Sequence, residues 1–321
     1  MSARAALHLL DDTTPAGPVA AEDSVLVVGN FDGVHLGHQA VLVQAVETAR
    51  ARGLVPSVLT FHPHPAAVVG SGVPPVLTTV EDRADLMGAL GVERLYVRAF
   101  TAEFARWEPE KFARTLVAES LRARVVVVGQ NFRFGARRAG DLALLRAQGA
   151  ELGFEVHVHA IASDARGPFS STRAREAIAA GDLREAEAVL GRPHALTGVV
   201  VHGEERGRTI NVPTANIAPV PEMLPPDGVY AVRVELLEED GGVTALPGGV
   251  TNIGVRPTVG GGARTVETYI LGFAGELYGE RLRLQLVARL RDERKFDGLD
   301  ALKAQIARDC VEARRTLGLP E

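Results

Sequence analysis

The stretch S-V-L-V-V-G-N-F-D-G-V-H-L-G-H, residues Ser24 to His38, indicates the fold of the first half of the chain. Its valine-rich start predicts a buried strand, and the segment from Leu36 to Arg52, which ends before Gly53, has the pattern of a helix. Glycines between the two let the backbone approach an anion, toward which the helix directs its free N–H groups and positive dipole end. The stretch therefore predicts a strand, an anion-binding turn and a helix in succession.

The same alternation of short strands and helices continues to about Leu190. Predicted strands cover Ser24 to Gly29, Val55 to His62, Arg94 to Phe100, Arg124 to Gln130 and Phe154 to Ile161, and predicted helices cover Leu36 to Arg52, Thr79 to Leu90, Pro109 to Leu121 and Gly140 to Leu152. Such alternation predicts an α/β doubly wound, Rossmann-like domain whose parallel sheet is covered on both faces. Ligands are expected at the carboxyl ends of its strands.

The pattern changes after Leu190, where predicted strands follow one another without helices between them. They cover Ala195 to His202, Val229 to Leu237, Val243 to Ile253, Thr265 to Phe273 and Arg281 to Leu290, and the next helical pattern runs from Leu299 to Leu317. We therefore expect a mostly antiparallel β-barrel domain with a C-terminal helix. A capping box at Asp182 and Glu185 starts a helix just before the change, so the predicted domains are residues 1–186 and 187–321.

Composition excludes several classes of protein. The 321 residues carry a net charge of −5, so no overall basic field exists to bind nucleic acid. The single cysteine, Cys310, allows no internal disulfide and suits a cytoplasmic location. No stretch approaches the roughly 18 apolar residues of a membrane span, and no glycine-rich loop is followed by lysine, so neither a membrane protein nor a P-loop site is expected. The oligomeric state is left open.

The histidines of the opening stretch point to phosphate chemistry. His35 and His38 can donate hydrogen bonds to phosphates and stabilise the charge that develops as a pyrophosphate leaves. The alternative is a plain strand-to-helix turn whose histidines only cap the helix. Three more segments fall at or just beyond the ends of predicted elements of this domain: T-F-H-P-H-P (residues 60–65), V-G-Q-N-F-R-F-G (128–135) and S-S-T-R-A-R (170–175).

Two other histidine pairs stand two residues apart. His62 and His64 share one face of an extended segment and could bind a metal or line the flavin or nucleotide site. His157 and His159 have the same spacing, and for them an ordinary strand pair without function is the better interpretation.

Together, the quoted segments resemble the nucleotidylyltransferase domain of bacterial bifunctional riboflavin kinase/FMN adenylyltransferases. The resemblance implies transfer of AMP from ATP to FMN, which gives FAD and pyrophosphate. His35 and His38 would contact the ATP phosphates, and Asn131, where many relatives carry aspartate, would lie beside the reacting groups. The remaining residues implied in ATP or FMN binding are Gly29, Phe31, Asp32, Gly33, Gly37, His62, Ser171, Thr172 and Arg175.

A proline-bent segment opens the second half. In P-T-A-N, Pro213 fixes the backbone and presents Thr214 and Asn216 at a defined angle. A hydroxyl and an amide oxygen are hard ligands of the kind that Mg²⁺ prefers, although a proline turn without function fits these four residues equally well.

Neighbouring motifs favour the functional interpretation. G-V-T-N-I-G-V-R-P-T-V (249–259), V-E-T-Y-I-L (266–271) and L-Y-G (277–279) follow in the order of the riboflavin kinase domain, which this half resembles. The resemblance makes Glu267 the general base for the ribityl hydroxyl that attacks ATP, and it assigns ATP, Mg²⁺ or flavin binding to Gly203, Gly207, Arg208, Pro213, Thr214, Asn216 and Asn252. This chain departs from the family pattern at Asn211, in place of a glycine, and at Tyr269, in place of a histidine.

The sequence thus predicts one chain with two active sites and with riboflavin, FMN and ATP as its small-molecule partners. A cytidylyl- or pantetheine-type transferase with one activity is a rival, since H-x-G-H occurs across that superfamily, but it leaves the β domain unexplained. A flavin-responsive regulator that binds these ligands without turnover is the rival from another class.

Overall fold

The computed structural model describes residues 4–14, 17–70, 72–202, 213–239, 241–255 and 264–320. Contacts divide the chain into two compact units, Met1–Ser170 and Ser171–Glu321. Within the described residues, no helix has the length and apolar character needed to span a membrane.

The first unit is built on a six-stranded parallel sheet in the order β1-β4-β3-β2-β5-β6. The strands are β1 Ala6–Leu10, β2 Ser24–Val28, β3 Val55–His62, β4 Arg94–Ala99, β5 Ala123–Gly129 and β6 Glu155–His159. The connecting helices are α1 Leu36–Arg52, α2 Pro65–Val69, α3 Val80–Ala89, α4 Pro109–Lys111 and α5 Leu142–Leu152. A two-residue hairpin, β7 Ser163–Asp164 with β8 Gly167–Pro168, follows β6.

Strand β2 shows how the sheet is buried on both faces. Val25 and Val27 lie in one apolar cluster with Leu42 of α1, whereas Leu26 and Val28 lie in a second cluster on the opposite face. Successive side chains of a strand point to opposite faces, so a continuous apolar run is what a sheet covered on both sides requires. The predicted doubly wound fold is confirmed.

Local differences from the predicted elements have physical causes. Strand β1, Ala6–Leu10, was not predicted; it is a short edge strand that leaves Leu9 74% exposed, so burial marks it only weakly. The predicted helix from Pro109 to Leu121 begins as α4 and continues as a π-helix over Phe112–Ser120. There the Leu121 amide donates to the Leu116 carbonyl oxygen, the wider bonding of a π-helix.

The second unit is a closed barrel preceded by two helices. α6 Ser171–Ala180 and α7 Leu183–Leu190 come first, and the barrel order is β10-β13-β12-β11-β14-β9. Its strands are β9 Ala195–Val201, β10 Ala215–Ala218, β11 Gly228–Leu237, β12 Val243–Val255, β13 Arg264–Ile270 and β14 Arg281–Asp292, and α8 Leu299–Leu317 follows. All pairings are antiparallel, so the predicted barrel with a C-terminal helix is confirmed.

Helix α7 belongs to the packing of the barrel. Asp182 caps it by accepting from the Glu185 amide at 3.0 Å, as the capping box predicts. Leu183 is 7% exposed and lies in the apolar core of the barrel together with Tyr230 and Leu284. The contacts thus assign α6 and α7 to the second unit, ahead of the predicted boundary between residues 186 and 187, which stays a prediction.

Candidate active sites

The turn after β2 has an unusual backbone. Phe31, Gly33 and Val34 have φ angles of 51°, 85° and 39°, all in the left-handed region. That region is costly for a β-branched residue, and Val34 is nevertheless fully packed, at 1% exposure. The surrounding structure therefore has to hold this turn in place.

Asp32 is the centre of what holds it. Its carboxylate, 5% exposed, accepts from the backbone amides of Leu77 and Thr78 at 3.1 and 3.0 Å and from Arg83 at 3.1 Å. The Gly33 amide donates to the Thr78 hydroxyl at 2.9 Å. The side chain of Asp32 is thus engaged within the protein, and it acts on the site by shaping the turn.

The turn delivers His35 and His38 to the start of α1. His35 is the N-cap, and its Nδ1 accepts from the His38 amide at 3.3 Å. Because Nδ1 accepts this bond, the ring proton of His35 lies on Nε2, which makes that atom a donor. The two rings stack with centroids 3.6 Å apart, and Phe31 packs on His38 at 4.9 Å. His35 does cap the helix, and both rings lie at its N-terminus.

Burial keeps His38 uncharged. Desolvation, with the charges of His35 and Arg83, holds the pKa of His38 well below its ordinary value of 6.5. Among the described residues, none forms a hydrogen bond with the buried Nδ1 of His38. The site therefore offers a neutral imidazole with unsatisfied hydrogen-bonding capacity beside a helix N-terminus.

Two glycines are explained by close approach. A Cβ on Gly37 would lie 3.1 Å from the His35 ring and 3.2 Å from the Phe169 carbonyl oxygen. A Cβ on Gly29 would lie 3.1 Å from the Phe31 ring. Both glycines let the aromatic side chains of the turn lie against the backbone.

His62 and His64 have different environments. His62 ends β3 and is exposed, whereas His64 caps α2 by accepting from the Ala66 amide at 3.2 Å, and its ring lies 3.2 Å from the Asn30 side-chain amide. No cluster of three or more histidine, cysteine or acidic side chains suited to a metal occurs in the part of the chain that the structure describes. His157 and His159 contact Glu155 and Gln44, as expected for ordinary strand residues.

A row of aromatic rings at the carboxyl edge of the sheet went unrecognised in the sequence. Phe61, Phe100, Phe104 and Trp107 follow one another with centroids 5.2 to 6.0 Å apart. Phe132 stacks on Phe134 at 5.5 Å in the loop after β5, beside the exposed Asn131. The signal available in the sequence was the placement of these rings at or just beyond the ends of β3, β4 and β5.

The S-S-T-R-A-R segment opens α6 and therefore lies in the second unit. Ser171, Thr172 and Arg175 occupy its first turns, at the end of the helix that carries the positive pole of the helix dipole. Between them, Arg173 pairs with Glu185 of α7 at 2.7 Å and fixes the two helices together.

The barrel brings three predicted kinase residues into one row. Asn216 of β10 lies directly opposite Glu267 of β13, and Asn252 of β12 lies opposite Glu267 on the other side. The neighbours in sequence, Ile217, Val266 and Ile253, all lie in the barrel core. Alternation therefore places the three polar side chains together on the outer face, at the spacing of directly paired residues.

One further polar side chain adjoins this row. Thr265 lies beside Glu267, with its hydroxyl 3.5 Å from the carboxylate. Pro213 and Thr214 immediately precede β10. The ring of Tyr278, from the L-Y-G motif, stacks on His202 at 3.9 Å, a pair that the sequence did not predict. The predicted binding residues Gly203, Gly207 and Arg208, together with Asn211, fall outside the described residues.

Two family models match this chain. One is described as FAD synthetase and matches residues 18–173. The other is described as riboflavin kinase and matches residues 190–317. The first covers the histidine turn and the start of α6, and the second covers the barrel and α8.

Curated relatives match both halves together. A bifunctional riboflavin kinase/FMN adenylyltransferase of Escherichia coli (strain K12) is 41% identical over 93% of this chain and 94% of its own. Proteins of the same name from Listeria monocytogenes and Bacillus subtilis (strain 168) are 40% and 36% identical over 91% of this chain and 92% of theirs. A solved structure from Streptococcus pneumoniae, described as a macrolide-efflux protein, is 31% identical with a TM-score of 0.83 and covers 96% of this chain and 98% of its own.

Proposed function

The chain belongs to the family of bifunctional riboflavin kinase/FMN adenylyltransferases, and from that premise we propose how its residues carry out the two transfers. It is a transferase that phosphorylates riboflavin with ATP in its C-terminal domain. Its N-terminal domain transfers AMP from ATP to FMN, giving FAD and pyrophosphate. The assignment of residues rests on one observation: the chain has stacked histidines at a helix N-terminus and, on its barrel, a carboxylate between two amides.

Adenylyl transfer needs donors more than a base. A phosphate oxygen of FMN attacks the α-phosphorus of ATP, and the bond to the β-phosphate oxygen breaks. The attacking phosphate has a second pKa of about 6, so it is already anionic at neutral pH. His35 and His38, with the N-terminus of α1, stabilise the charge that develops on the departing pyrophosphate. An amide at Asn131 is compatible with this chemistry because no proton has to be removed.

The flavin ring is best accommodated along the aromatic row. Planar rings gain from offset and edge-on contacts with aromatic side chains, and Phe61 and Phe132 offer such rings at the edge where α/β sheets bind ligands. His62, exposed at the end of β3, is available to line the same region.

Ser171, Thr172 and Arg175 supply donors of the type that binds a triphosphate.

The kinase step, unlike adenylyl transfer, needs a base. The ribityl hydroxyl of riboflavin is only weakly acidic, so its attack on the γ-phosphorus of ATP needs a base that accepts the proton. Glu267 is that base, and its central place in the row positions the carboxylate between Asn216 and Asn252. The leaving group is ADP, and the product is FMN.

Mg²⁺ fits the donors at this row. The hydroxyl of Thr214 and the amide oxygen of Asn216 are hard oxygen ligands, and Mg²⁺ is commonly held by few protein ligands together with substrate phosphates and water. The ion would neutralise phosphate charge in the kinase transfer, and a separate Mg²⁺ bound with ATP would do the same in adenylyl transfer. The single cysteine suits a cytoplasmic site of action, where ATP is available.

The test is incubation of the purified chain with riboflavin, ATP and Mg²⁺. The products are separated by chromatography and identified by mass spectrometry. We expect FMN to appear first and FAD to follow. Formation of FMN alone would leave the N-terminal assignment without support. Binding of flavin without either product would favour the flavin-responsive regulator.

A further inference from the structure

Arg83, near the start of α3, reaches back to the histidine turn. Its Nη1 donates to the Asn30 carbonyl oxygen at 3.2 Å, and its Nη2 donates to Asp32 at 3.1 Å and to the Thr78 carbonyl oxygen at 3.2 Å. Its Nε lies 3.3 Å from the Thr78 hydroxyl. The guanidinium is 8% exposed, so these bonds form in a buried setting.

These contacts add to the hydrogen bonds by which Asp32 and Gly33 already join two stretches of backbone. One is the turn from Gly29 to His35, and the other is the segment at Leu77 and Thr78 that leads into α3. Arg83 binds carbonyl oxygens in both and completes the set of donors around Asp32. The turn it clamps contains the strained Val34, whose φ of 39° persists only if neighbouring contacts hold it.

We infer that Arg83 is a positioning residue for adenylyl transfer: its guanidinium clamps the strained turn so that His35, His38 and the N-terminus of α1 face the phosphates together. The inference rests on the proposed roles of the two histidines. Arg83 itself is directed at the protein backbone and at Asp32, and it acts through them.

The shape of the guanidinium is essential to this role. A planar fork presents donors in several fixed directions, whereas the ammonium of lysine is a compact charge with donors around one atom. Lysine at this position would keep the pairing with Asp32 and lose the simultaneous contacts with the carbonyl oxygens of Asn30 and Thr78. Charge and geometry can therefore be separated by substitution.

The charge of Arg83 has its own consequence. Together with the neighbouring His35 ring, it opposes protonation of His38, while Asp32 is the anion paired with Arg83. Removing the charge should raise the pKa of His38, and keeping it as lysine should leave that pKa near its present position. The pH dependence of turnover therefore reports on this contact separately from the stability of the fold.

The test uses the full chain with Arg83→Lys, Arg83→Met and His38→Ala. Arg52→Met is the matched control, because Arg52 also forms an ion pair in the first unit, with Glu155, but at an exposed site away from the turn. Each variant is assayed for kcat and KM in FMN adenylylation, for pH dependence, for riboflavin phosphorylation and for thermal unfolding.

We expect Arg83→Met to lower the adenylylation kcat about 10²-fold, the scale of a small misplacement of reacting groups, with KM for ATP within about threefold. The kcat of Arg83→Lys should lie between that of Arg83→Met and that of the control. Only Arg83→Met should move the acid limb of the pH profile of kcat to higher pH. If Arg83→Met does not fold, the intermediate loss in folded Arg83→Lys carries the test.

Folded Arg83 variants with a kcat within about twofold of Arg52→Met would overturn the inference. A loss of kcat no larger than the fraction of protein that is unfolded at the assay temperature would also overturn the inference. If His38→Ala is slow in adenylylation and the Arg83 variants are normal, the result excludes a role for Arg83 and leaves the role of His38 intact. Normal adenylylation by His38→Ala would instead remove the histidine role on which the inference rests.

Discussion

The imidazole rings of His35 and His38 stack with their centroids 3.6 Å apart and 23° from parallel. Two rings at this distance repel when both are protonated, so the pair favours the neutral state of at least one of them. The N-cap bond fixes the tautomer of His35, and burial keeps His38 neutral. His38 can thus serve as an uncharged donor whose hydrogen bond strengthens as negative charge develops.

Changing His38 to Ala should therefore slow FAD formation selectively. Loss of one preorganised donor to developing charge typically costs about 10²- to 10³-fold in rate. FMN should accumulate from riboflavin because the kinase row lies in the other unit. His157→Ala is the control, since that ring contacts Glu155 on β6. A His38→Ala enzyme that makes FAD from FMN within a few-fold of the unchanged rate would contradict the assignment.

Glu267→Gln should affect only the kinase step. The amide keeps the size of the side chain but accepts no proton, so kcat for riboflavin phosphorylation should fall at least about tenfold, with ATP affinity nearly unchanged. Glu235→Gln is a matched control on β11, where the carboxylate accepts from Gln285 at 2.7 Å. Parallel assays on riboflavin and FMN decide the matter, and equal losses in both reactions would indicate general damage to the protein.

The buried state of His38 predicts a pH dependence of stability. The pKa of His38 is held well below 6.5 by burial and by the charges of His35 and Arg83, so the unfolded chain binds a proton near pH 6.5 while the folded chain does not. The free energy of unfolding should therefore fall as pH drops below about 6.5, by at most about 1.4 kcal/mol per pH unit for this group. Burial lowers the pKa of His8 as well, with the same sign.

Denaturant unfolding followed by the fluorescence of Trp107, the single tryptophan, measures this dependence in the first unit. In His38→Asn, the free energy of unfolding should change less between pH 7.5 and 5.5 than it does in the unchanged chain. An identical slope in the variant would show that His38 is protonated equally in both states.

The packing of Leu183 predicts where an independent kinase fragment should begin. A fragment of residues 171–321 should fold and phosphorylate riboflavin, because it retains α6, α7 and the complete barrel core. A fragment of residues 187–321 lacks Leu183 and should lose about 2 to 5 kcal/mol of unfolding free energy, as for a core leucine replaced by alanine.

Circular dichroism during urea unfolding compares the two fragments, and Leu183→Ala in the longer one isolates the single contact. Equal stability of the two fragments would mean that α7 contributes nothing to the barrel. An inactive but folded 171–321 fragment would argue against a self-contained kinase domain.

Much of the architecture was predictable because burial is periodic in the long elements. Continuous apolar runs such as Ser24–Val28 indicate strands covered on both faces, and the apolar period of Leu299–Leu317 indicates a helix lying on a surface. Strands β1 and β10 escaped prediction because they are short, at 5 and 4 residues, and leave little periodic signal.

The sequence by itself determined the two fold classes and the motif residues, including His35, His38 and Glu267, because local patterns and family motifs are carried by neighbouring positions. Tertiary structure alone decided what these residues touch. Register placed Asn216 and Asn252 on either side of Glu267, and folding brought Arg83 to the turn at Asp32. Hydrogen-bond pairing between strands and the packing of a helix on a loop join positions far apart in the chain, and no local pattern encodes which of them meet.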